Sequence, residues 1–472
     1  MSNLPDINQD FAAWYQDVVY KAELADHSPV RGCIVIRPYG TAIWEMIKAR
    51  LDERIKATGH HNALFPLLIP QSFLTKEAEH VEGFSPELAV VTHAGGKELE
   101  EPLVIRPTSE TMIHFMFAQW IRSWRDLPMK INQWANVMRW EMRTRPFLRT
   151  SEFYWQEGHT AHETQEEAET EARMMLAEYV DLAENYLAIP VIPGVKSEQE
   201  KFPGADKTYT FEGLMPDGKA LQMGTSHLIS QNFAKAFDMH YQNREGGRSY
   251  PYLTSWGVTT RLVGALVMAH GDQKGLILPP RIAPIQIVII PIFKKGTENS
   301  LLLDAVHMLA ASLRSLYRVE IDDRDYETPG AKFYAWELKG IPVRIEIGPR
   351  DLEKQSAVLV ERLHGTKQVV PFENIKAALT IMLDALQQQL FIRAQEKQKT
   401  LWHHKNSLSE FSDHLKNRGE LYQVGWCRSK ECENSLKEFG ASIRCLLESR
   451  GASQCFKCGV ASEGDIIIAK AY

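Results

Sequence analysis

Two neighbouring stretches of the sequence alternate as β-strands do and place charged, polar and aromatic side chains on one face. Residues two apart on an extended strand share a face, so the rows would be Arg139 and Glu141, then Phe153, Trp155, Glu157 and His159. Such a face can bind a small zwitterion beside a nucleotide, because arginine holds phosphate or carboxylate bidentately and aromatic rings stack on flat rings. Alternation alone would favour a simpler interpretation, two amphipathic strands with a solvated polar face.

Three further polar segments favour a binding site. They are Arg106-Pro107-Thr108-Ser109-Glu110, before a predicted helix near Thr111; Gln222-Met223-Gly224-Thr225-Ser226-His227, predicted to open another helix; and Trp256-Gly257-Val258-Thr259-Thr260-Arg261, which places an arginine in a first helical turn. His159 and His227 could equally be hydrogen-bonded structural residues.

Four of the six cysteines form two close pairs late in the sequence. Cys427 and Cys432 have four residues between them, and Cys455 and Cys458 have two, which is the spacing of a structural zinc site. Cys445 cannot join a closed set of four thiolates. A module with few apolar residues would lack a core if these thiols were simply reduced, so the sequence predicts one structural Zn²⁺ per chain.

The elements that must position the polar residues lie in a first segment, up to about residue 280. A four-residue apolar repeat predicts a helix at residues 43–55, and residues 62–69 have the pattern of a buried strand. A further helix is predicted to begin near Glu163, where acidic residues complement the positive end of the helix dipole.

A proline-rich boundary at residues 278–284 precedes a different pattern. Strands and helices alternate through residues 285–347, and an amphipathic helix begins near Ile375, which predicts a small α/β domain. From about residue 401 the cysteine-bearing module continues to Tyr472. We therefore expect three domains, at residues 1–280, 284–398 and 401–472.

Composition restricts the functional class. The 472 residues carry a net charge of −6, which excludes a globally basic nucleic-acid binder but permits a local basic face. No apolar run approaches the roughly 20 residues that span a bilayer, and the first residues do not resemble a secretory signal. Six cysteines are too few for a disulfide scaffold, and together these features predict a cytoplasmic enzyme.

Taken together, the motifs resemble the prolyl-tRNA synthetases of class II, in their archaeal and eukaryotic form, over nearly the whole chain. Pro66 would close motif 1, the dimer-interface helix and strand. The stretch from Arg139 through the loop at Arg149 to Phe153 matches motif 2, and Arg261 matches the motif 3 arginine. The resemblance implies an α+β catalytic domain on an antiparallel sheet, an α/β anticodon-binding domain and a small zinc-binding α+β domain.

The resemblance implies a role for each matched residue. For ATP, Arg139 would hold the α-phosphate, Arg261 would lie near the γ-phosphate and Phe153 would stack on adenine, with Glu141, Arg149, Gln222, Thr225 and Thr259 around them. For proline, Thr108 and Glu110 would accept from the imino nitrogen, and the pocket would be completed by Arg139, Trp155, Glu157, His159 and His227. No protein nucleophile is needed, so Arg139 and Arg261 are the expected catalytic residues.

The implied reaction joins L-proline to its tRNA through prolyl-adenylate, with Mg²⁺ accompanying ATP, in a homodimer. Lys332, Glu337 and Arg344 would read unpaired anticodon bases, although each could equally belong to a solvated charged rim. The stretch from His159 to Gln222 is too short for the editing insertion of the usual bacterial enzymes. This form also characteristically ends in a tyrosine whose carboxylate reaches toward the active site; a strand that only completes the module's sheet is the simpler interpretation of Tyr472.

Two alternatives stay open. One is a class IIa synthetase for another amino acid, such as threonine or histidine, which would change the pocket at Thr108, Glu110, Trp155 and His159; a threonine site would normally add zinc there, and no cysteine is near. The other is a non-catalytic paralogue that binds RNA. Such proteins usually lose a motif arginine, and here both are present.

Overall fold

The computed structural model describes residues 4–74, 88–294 and 299–472. The strands are β1 Ala25–His27, β2 Ile34–Ile36, β3 His61–Asn62, β4 Leu68–Pro70, β5 Val90–Ala94, β6 Lys97–Ile105, β7 Met129–Met138, β8 Glu152–His162, β9 Val191–Val195, β10 Lys207–Leu214, β11 Ala220–Ser230, β12 Tyr241–Gln242, β13 Arg248–Ser249, β14 Tyr252–Thr259, β15 Ile287–Pro291, β16 Val319–Ile321, β17 Val343–Ile347, β18 Ser356–Glu361, β19 Lys367–Pro371, β20 Trp402–His404, β21 Leu421–Trp426, β22 Ala441–Leu446 and β23 Gly464–Lys470. The helices are α1 Phe11–Lys21, α2 Pro38–Ala57, α3 Glu110–Trp120, α4 Gln165–Asp181, α5 Asn232–Ala236, α6 Arg261–His270, α7 Ser300–Leu313, α8 Pro329–Lys339, α9 Pro349–Glu353, α10 Ile375–Leu401, α11 Ser412–Asn417 and α12 Lys430–Asn434.

A large sheet forms the base of the first segment. Its central strands β9, β10, β11, β14, β8 and β7 pair antiparallel in that order. Helix α2 buries Ile43, Ile47, Leu51 and Ile55, the predicted apolar repeat, in a core shared with α4 and α6. Helix α4 begins after Thr164, whose side chain accepts from the backbone N–H of Glu167, an N-cap that satisfies an otherwise unpaired donor. The antiparallel sheet with helices confirms the predicted α+β class.

A second sheet with its own core follows the proline-rich boundary. Strands β15, β16 and β17 are parallel, while β18 and β19 add antiparallel to one edge. Helices α7 and α10 cover it with apolar side chains such as Val306, Leu379 and Leu383. This arrangement confirms the predicted α/β domain.

The last segment packs a third core and extends the large sheet. Strand β23 lies between β21 and β22 and is antiparallel to both, and β22 meets β9 where Leu446 pairs with Val195. Tyr422, Phe411, Phe456 and Ile468 are buried between this sheet and the short helices around it. Among the described residues, no helix has the length and apolar character needed to cross a membrane.

Two predicted elements are wrong. Residues 222–227 do not open a helix but lie within β11, whose side chains alternate between the α4 side and the open face, held between β10 and β14. Residues 62–69 are not one buried strand: β3 ends at Asn62, β4 begins at Leu68, and Leu64 is 86% exposed. Pro66 has no N–H to donate to a ladder, which explains the interruption.

Candidate active site

A cavity of about 910 Å³ opens on the face of the large sheet formed by β8, β11 and β14. It is lined by every residue that the sequence suggested for ATP or proline: Thr108, Glu110, Arg139, Glu141, Arg149, Phe153, Trp155, Glu157, His159, Gln222, Thr225, His227, Thr259 and Arg261. These come from the start of α3 and the residues before it, the β7–β8 connection, β8, β11, the end of β14 and the start of α6, segments far apart in sequence. The sheet thus gathers them into one site.

Glu157 and His159 form a buried hydrogen-bonded pair at one end of the cavity. His159 Nε2 lies 3.0 Å from one carboxylate oxygen of Glu157, while Ser109 Oγ and Gln133 Nε2 donate to the other at 2.5 and 2.8 Å. Burial opposes the ionisation of Glu157, but these hydrogen bonds outweigh it and lower its pKa. Burial also opposes the protonation of His159, but the Glu157 hydrogen bond and the charges of Glu110 and Glu157 raise its pKa.

A second carboxylate lies beside this pair. Glu110, the first residue of α3, accepts a hydrogen bond from Thr108 Oγ1, and both side chains are buried. Burial raises the pKa of Glu110. Among the described residues, no partner pairs with the buried Trp155 Nε1, His159 Nδ1 or Ser255 Oγ. Because buried polar groups are normally hydrogen-bonded, this end of the cavity suits a small ligand with both a cationic and a polar group.

The arginine of the β7–β8 connection lies between two aromatic rings. Arg139 Nε donates to the Pro107 carbonyl at 2.9 Å, and its guanidinium is 5.5 Å from the ring centres of both Phe153 and Trp155. Arg139 and Glu141 follow the end of β7 rather than lying on it, because the strand stops at Met138. Arg149 Nε donates to Glu141 at 2.5 Å across this connection.

Arg261, the first residue of α6, is fixed by backbone carbonyls. Its Nη1 donates to Gln222 O at 2.9 Å and its Nε to Leu148 O at 3.2 Å. Burial lowers its pKa to about 10, so the guanidinium stays protonated at neutral pH. Its second terminal nitrogen, Nη2, has no partner among the described residues, so it can donate to an anionic ligand.

His227 is held in its neutral form. Thr208 Oγ1 lies 3.0 Å from its Nδ1 and Thr225 Oγ1 lies 3.0 Å from its Nε2. Burial, reinforced by His159, lowers its pKa to about 3. The cavity therefore contains one histidine with a raised pKa and one with a lowered pKa, which have different hydrogen-bonding capacities.

Sequence reasoning missed several lining residues. Phe202, Thr208 and Ser255 line the cavity between the predicted ones. They carry no motif of their own; the polar island at residues 222–227, placed correctly on a strand, would have identified Thr208 as its neighbour across the β10–β11 hairpin. The Tyr472 ring also lines the cavity, between the cations Arg145 and Lys219.

The three anticodon candidates lie in the α/β domain. Lys332 is buried, with its amino group 3.0 Å from the Asp322 carbonyl, and Arg344 is bonded to Glu346 at 2.9 and 3.0 Å. Glu337 keeps 27% of its side chain exposed. In this conformation, only Glu337 of the three presents a substantially exposed side chain.

The two cysteine pairs converge in the last segment. The sulfur atoms of Cys427, Cys432, Cys455 and Cys458 all lie within 4.8 Å of one another, with 3.8 Å from Cys427 to Cys432 and 3.6 Å to Cys458. Tetrahedral zinc with Zn–S bonds of about 2.3 Å requires sulfur separations of about 3.8 Å, so the cluster fits this ion. Cys445 lies elsewhere, fully buried against β9.

Three family models match consecutive parts of the chain. They are "tRNA synthetase class II core domain (G, H, P, S and T)" at residues 91–270, "Anticodon binding domain" at residues 286–380, and "Prolyl-tRNA synthetase, C-terminal" at residues 408–472. Their order matches the three cores of the fold.

Relatives and solved structures agree over the full length. The proline–tRNA ligase of Roseiflexus castenholzii is 51% identical over 98% of both chains, and proline–tRNA ligase 2 of Clostridioides difficile is 48% identical over 100% of this chain and 98% of that protein. The prolyl-tRNA synthetase of Cryptosporidium parvum superposes with a TM-score of 0.95 in its complex with halofuginone and AMPPNP, and 0.93 with L-proline and AMP. These structures share 40% and 38% identity with the chain and cover 99% of both chains.

Proposed function

The chain belongs to the class II prolyl-tRNA synthetases, and we propose that it joins L-proline to the proline-specific tRNA in two steps. The proline carboxylate attacks the α-phosphorus of ATP and releases pyrophosphate, and a 3′-terminal hydroxyl of the tRNA then attacks the prolyl-adenylate carbonyl and releases AMP. One observation carries the proposal: a single cavity joins Arg139 and Arg261 to the buried Thr108–Glu110 and Glu157–His159 pairs.

The acidic end of the cavity is proposed to hold proline. Its secondary ammonium offers two N–H donors, which a carboxylate and a neutral acceptor such as Glu110 and Thr108 can accept. Trp155, Glu157, His159 and His227 would shape the space around the ring, and Arg139 would face the carboxylate. Because Glu157 is already satisfied by Ser109, Gln133 and His159, Glu110 is the carboxylate left to meet the substrate cation.

The arginine end is proposed to hold ATP. Arg139 and Arg261 would be the catalytic residues, stabilising negative charge as it develops on the phosphates. Phe153 offers a ring face for adenine, with Glu141, Arg149, Gln222, Thr225 and Thr259 around the nucleotide. Mg²⁺ prefers oxygen ligands, and Glu141 and Gln222 present oxygens here; the ion would neutralise phosphate charge.

The proposal also covers the domains, the metal, the location, the anticodon residues and the oligomeric state. We propose the domain boundaries 1–280, 284–398 and 401–472, one structural Zn²⁺ at the four cysteines, and a cytoplasmic location with the tRNA pool. Lys332, Glu337 and Arg344 remain anticodon candidates, of which the partly exposed Glu337 is best supported. Homodimer formation is supported by the apolar side chains Leu64, Leu67 and Trp120, which are 86%, 41% and 42% exposed.

The decisive experiment is amino-acid-dependent ATP–pyrophosphate exchange. Proline should support exchange, while threonine and histidine should not. Exchange with threonine or histidine instead would identify a class IIa synthetase of different specificity. Absence of exchange with any amino acid, together with retained tRNA binding, would identify a non-catalytic RNA-binding paralogue.

A further inference from the structure

The connection between β9 and β10, residues 196–206, forms one wall of the cavity. Lys201, Phe202 and Pro203 line it. The Phe202 ring packs on the His227 ring with centres 4.6 Å apart, and its backbone N–H donates to Thr208 Oγ1 at 2.9 Å. The same hydroxyl lies 3.0 Å from His227 Nδ1, so the position of this connection is linked to how Phe202 and His227 line the cavity.

The last segment of the chain holds the base of this connection through one carboxylate. Glu433, on α12, accepts a hydrogen bond from Ser197 Oγ with one oxygen and from Gln199 Nε2, at 3.0 Å, with the other. Glu433 is 6% exposed and Ser197 is 2% exposed. The contact is therefore a buried link between residues more than 200 positions apart, and Glu433 directly follows Cys432 of the four-cysteine cluster.

A second buried link fixes the start of the same connection. Lys196 Nζ donates to Glu212 at 2.7 Å and to the Arg444 carbonyl at 2.9 Å, while the Arg444 guanidinium donates to the other Glu212 oxygen at 3.0 Å. Gly194 lies so close to β22 that an added Cβ would be 2.6 Å from Leu446 O. The cysteine-bearing segment thus contacts residues 196–206 at two places. One contact fixes Lys196, at the start of the connection, and the Glu433 contact holds Ser197 and Gln199, which lead into Phe202.

We propose that Glu433 is a positioning residue for the proline subsite, through which the cysteine-bearing segment holds residues 196–206 against the cavity. Removing its carboxylate leaves the buried Ser197 hydroxyl without its acceptor and releases the exposed Gln199 amide to solvent, which favours a looser connection in which Phe202 and His227 are less well placed. Among the described residues, the Glu433 side chain has no hydrogen bond or ion pair with the β7–β8 connection or α6, the proposed ATP end. This inference rests on the proposed function for its kinetic part only.

The kinetic test compares Glu433→Ala with two controls. We expect Glu433→Ala to raise the KM for proline about tenfold, the factor expected for loss of a buried hydrogen-bonded carboxylate, with the KM for ATP and kcat changed less than about twofold. Glu433→Gln keeps an oxygen acceptor and should stay near the native KM. Glu431→Ala removes an exposed carboxylate from the same helix, also beside Cys432, and should behave like the native enzyme.

A structural test needs no activity. In the ligand-free protein, the backbone amides of Lys201 and Phe202, which bond to Ser197 O and Thr208 Oγ1, should exchange with deuterium about tenfold faster in Glu433→Ala at unchanged zinc content. An unchanged KM for proline with unchanged amide exchange would overturn the proposal. So would equal losses in kcat, both KM values and metal content, because these indicate only a structural role. If the native protein lacked proline-dependent activity, the proposed function would fail, and amide exchange would still decide whether Glu433 holds the connection.

Discussion

At the scale of single residues, Arg261 has two nitrogens fixed by backbone carbonyls, and its Nη2, which has no partner among the described residues, is proposed to meet a phosphate. Arg261→Ala should lower kcat for proline-dependent pyrophosphate exchange by about 10²–10³-fold, the usual effect of removing a preorganised donor. Arg261→Lys keeps a charge but not the planar fork and should recover little activity. Circular dichroism checks that the variant remains folded; near-native kcat in a folded Arg261→Ala protein would contradict the assignment.

A buried histidine makes stability depend on pH. His270 is fully buried, its Nε2 lies 2.7 Å from the Leu187 carbonyl, and burial lowers its pKa to about 3 from an ordinary 6.5. The unfolded chain binds the proton more readily, so this contribution is present above pH 6.5 and is lost as the pH falls toward 3. At pH 5 the loss is about 2 kcal/mol.

The matched variants for this prediction are His270→Gln, which keeps a donor for Leu187 O, and His61→Gln, which changes an exposed histidine. Between pH 7.5 and pH 5, the free energy of unfolding should fall by about 2 kcal/mol less in His270→Gln than in the native protein. His61→Gln should follow the native curve. Parallel curves for all three proteins in urea titrations would show that His270 does not titrate as described.

The residues of the cavity were predictable because their types are demanded by the chemistry of phosphate, carboxylate and ammonium groups. Arg139, Glu110 and Arg261 lie in short motifs, in which the spacing of the neighbouring residues can be recognised from the sequence alone. Phe202 and Ser255 were not predictable, because an aromatic ring in a connection, or a hydroxyl on a strand, has many uses. Only the pairing of β10 with β11, and of β11 with β14, brings them to the same cavity.

At the scale of elements, the predictions succeeded where a long periodic pattern had one interpretation. The repeat Ile43, Ile47, Leu51 and Ile55 gave α2, and the acidic start after Thr164 gave α4. They failed for residues 222–227, where Gln222, Thr225 and His227 line the cavity while Ser226 donates to the Ala172 carbonyl of α4. A strand with a functional polar face has few apolar residues on that face, so its period is hard to distinguish from a helix start.

The cysteine cluster permits a test at the same scale. Native protein purified without chelator should contain close to one zinc per chain, and Cys432→Ser should lose most of it. Cys445→Ser should keep the zinc, because that thiol is buried against β9 and burial raises its pKa to about 12. Elemental analysis by mass spectrometry measures both; zinc loss in Cys445→Ser would mean that the ligand set is wrong.

At the scale of the whole molecule, exposed apolar side chains near β4 and α3 predict self-association. The native 53.8 kDa chain should sediment at twice that mass. Leu64→Asp should shift the equilibrium toward the monomer, because a carboxylate cannot be buried cheaply in an apolar contact. Leu301→Asp, which changes a 76% exposed leucine on α7, is the control and should remain dimeric. A monomeric native chain would contradict the prediction.

The arrangement of the large sheet also bears on fidelity. Between β8 and β11, helix α4 and strands β9 and β10 all pack on or within this sheet, and the described residues there form no separate core. Alanine fits within a proline pocket and lacks only apolar surface, for which a pocket alone discriminates by about 1–3 kcal/mol. We therefore expect the chain to mischarge some proline-specific tRNA with alanine and to leave this alanyl-tRNA intact.

Incubating the purified mischarged alanyl-tRNA with the protein, with and without ATP, should give the spontaneous hydrolysis rate. Deacylation well above that rate, retained in Arg261→Ala, would reveal an editing centre separate from the cavity.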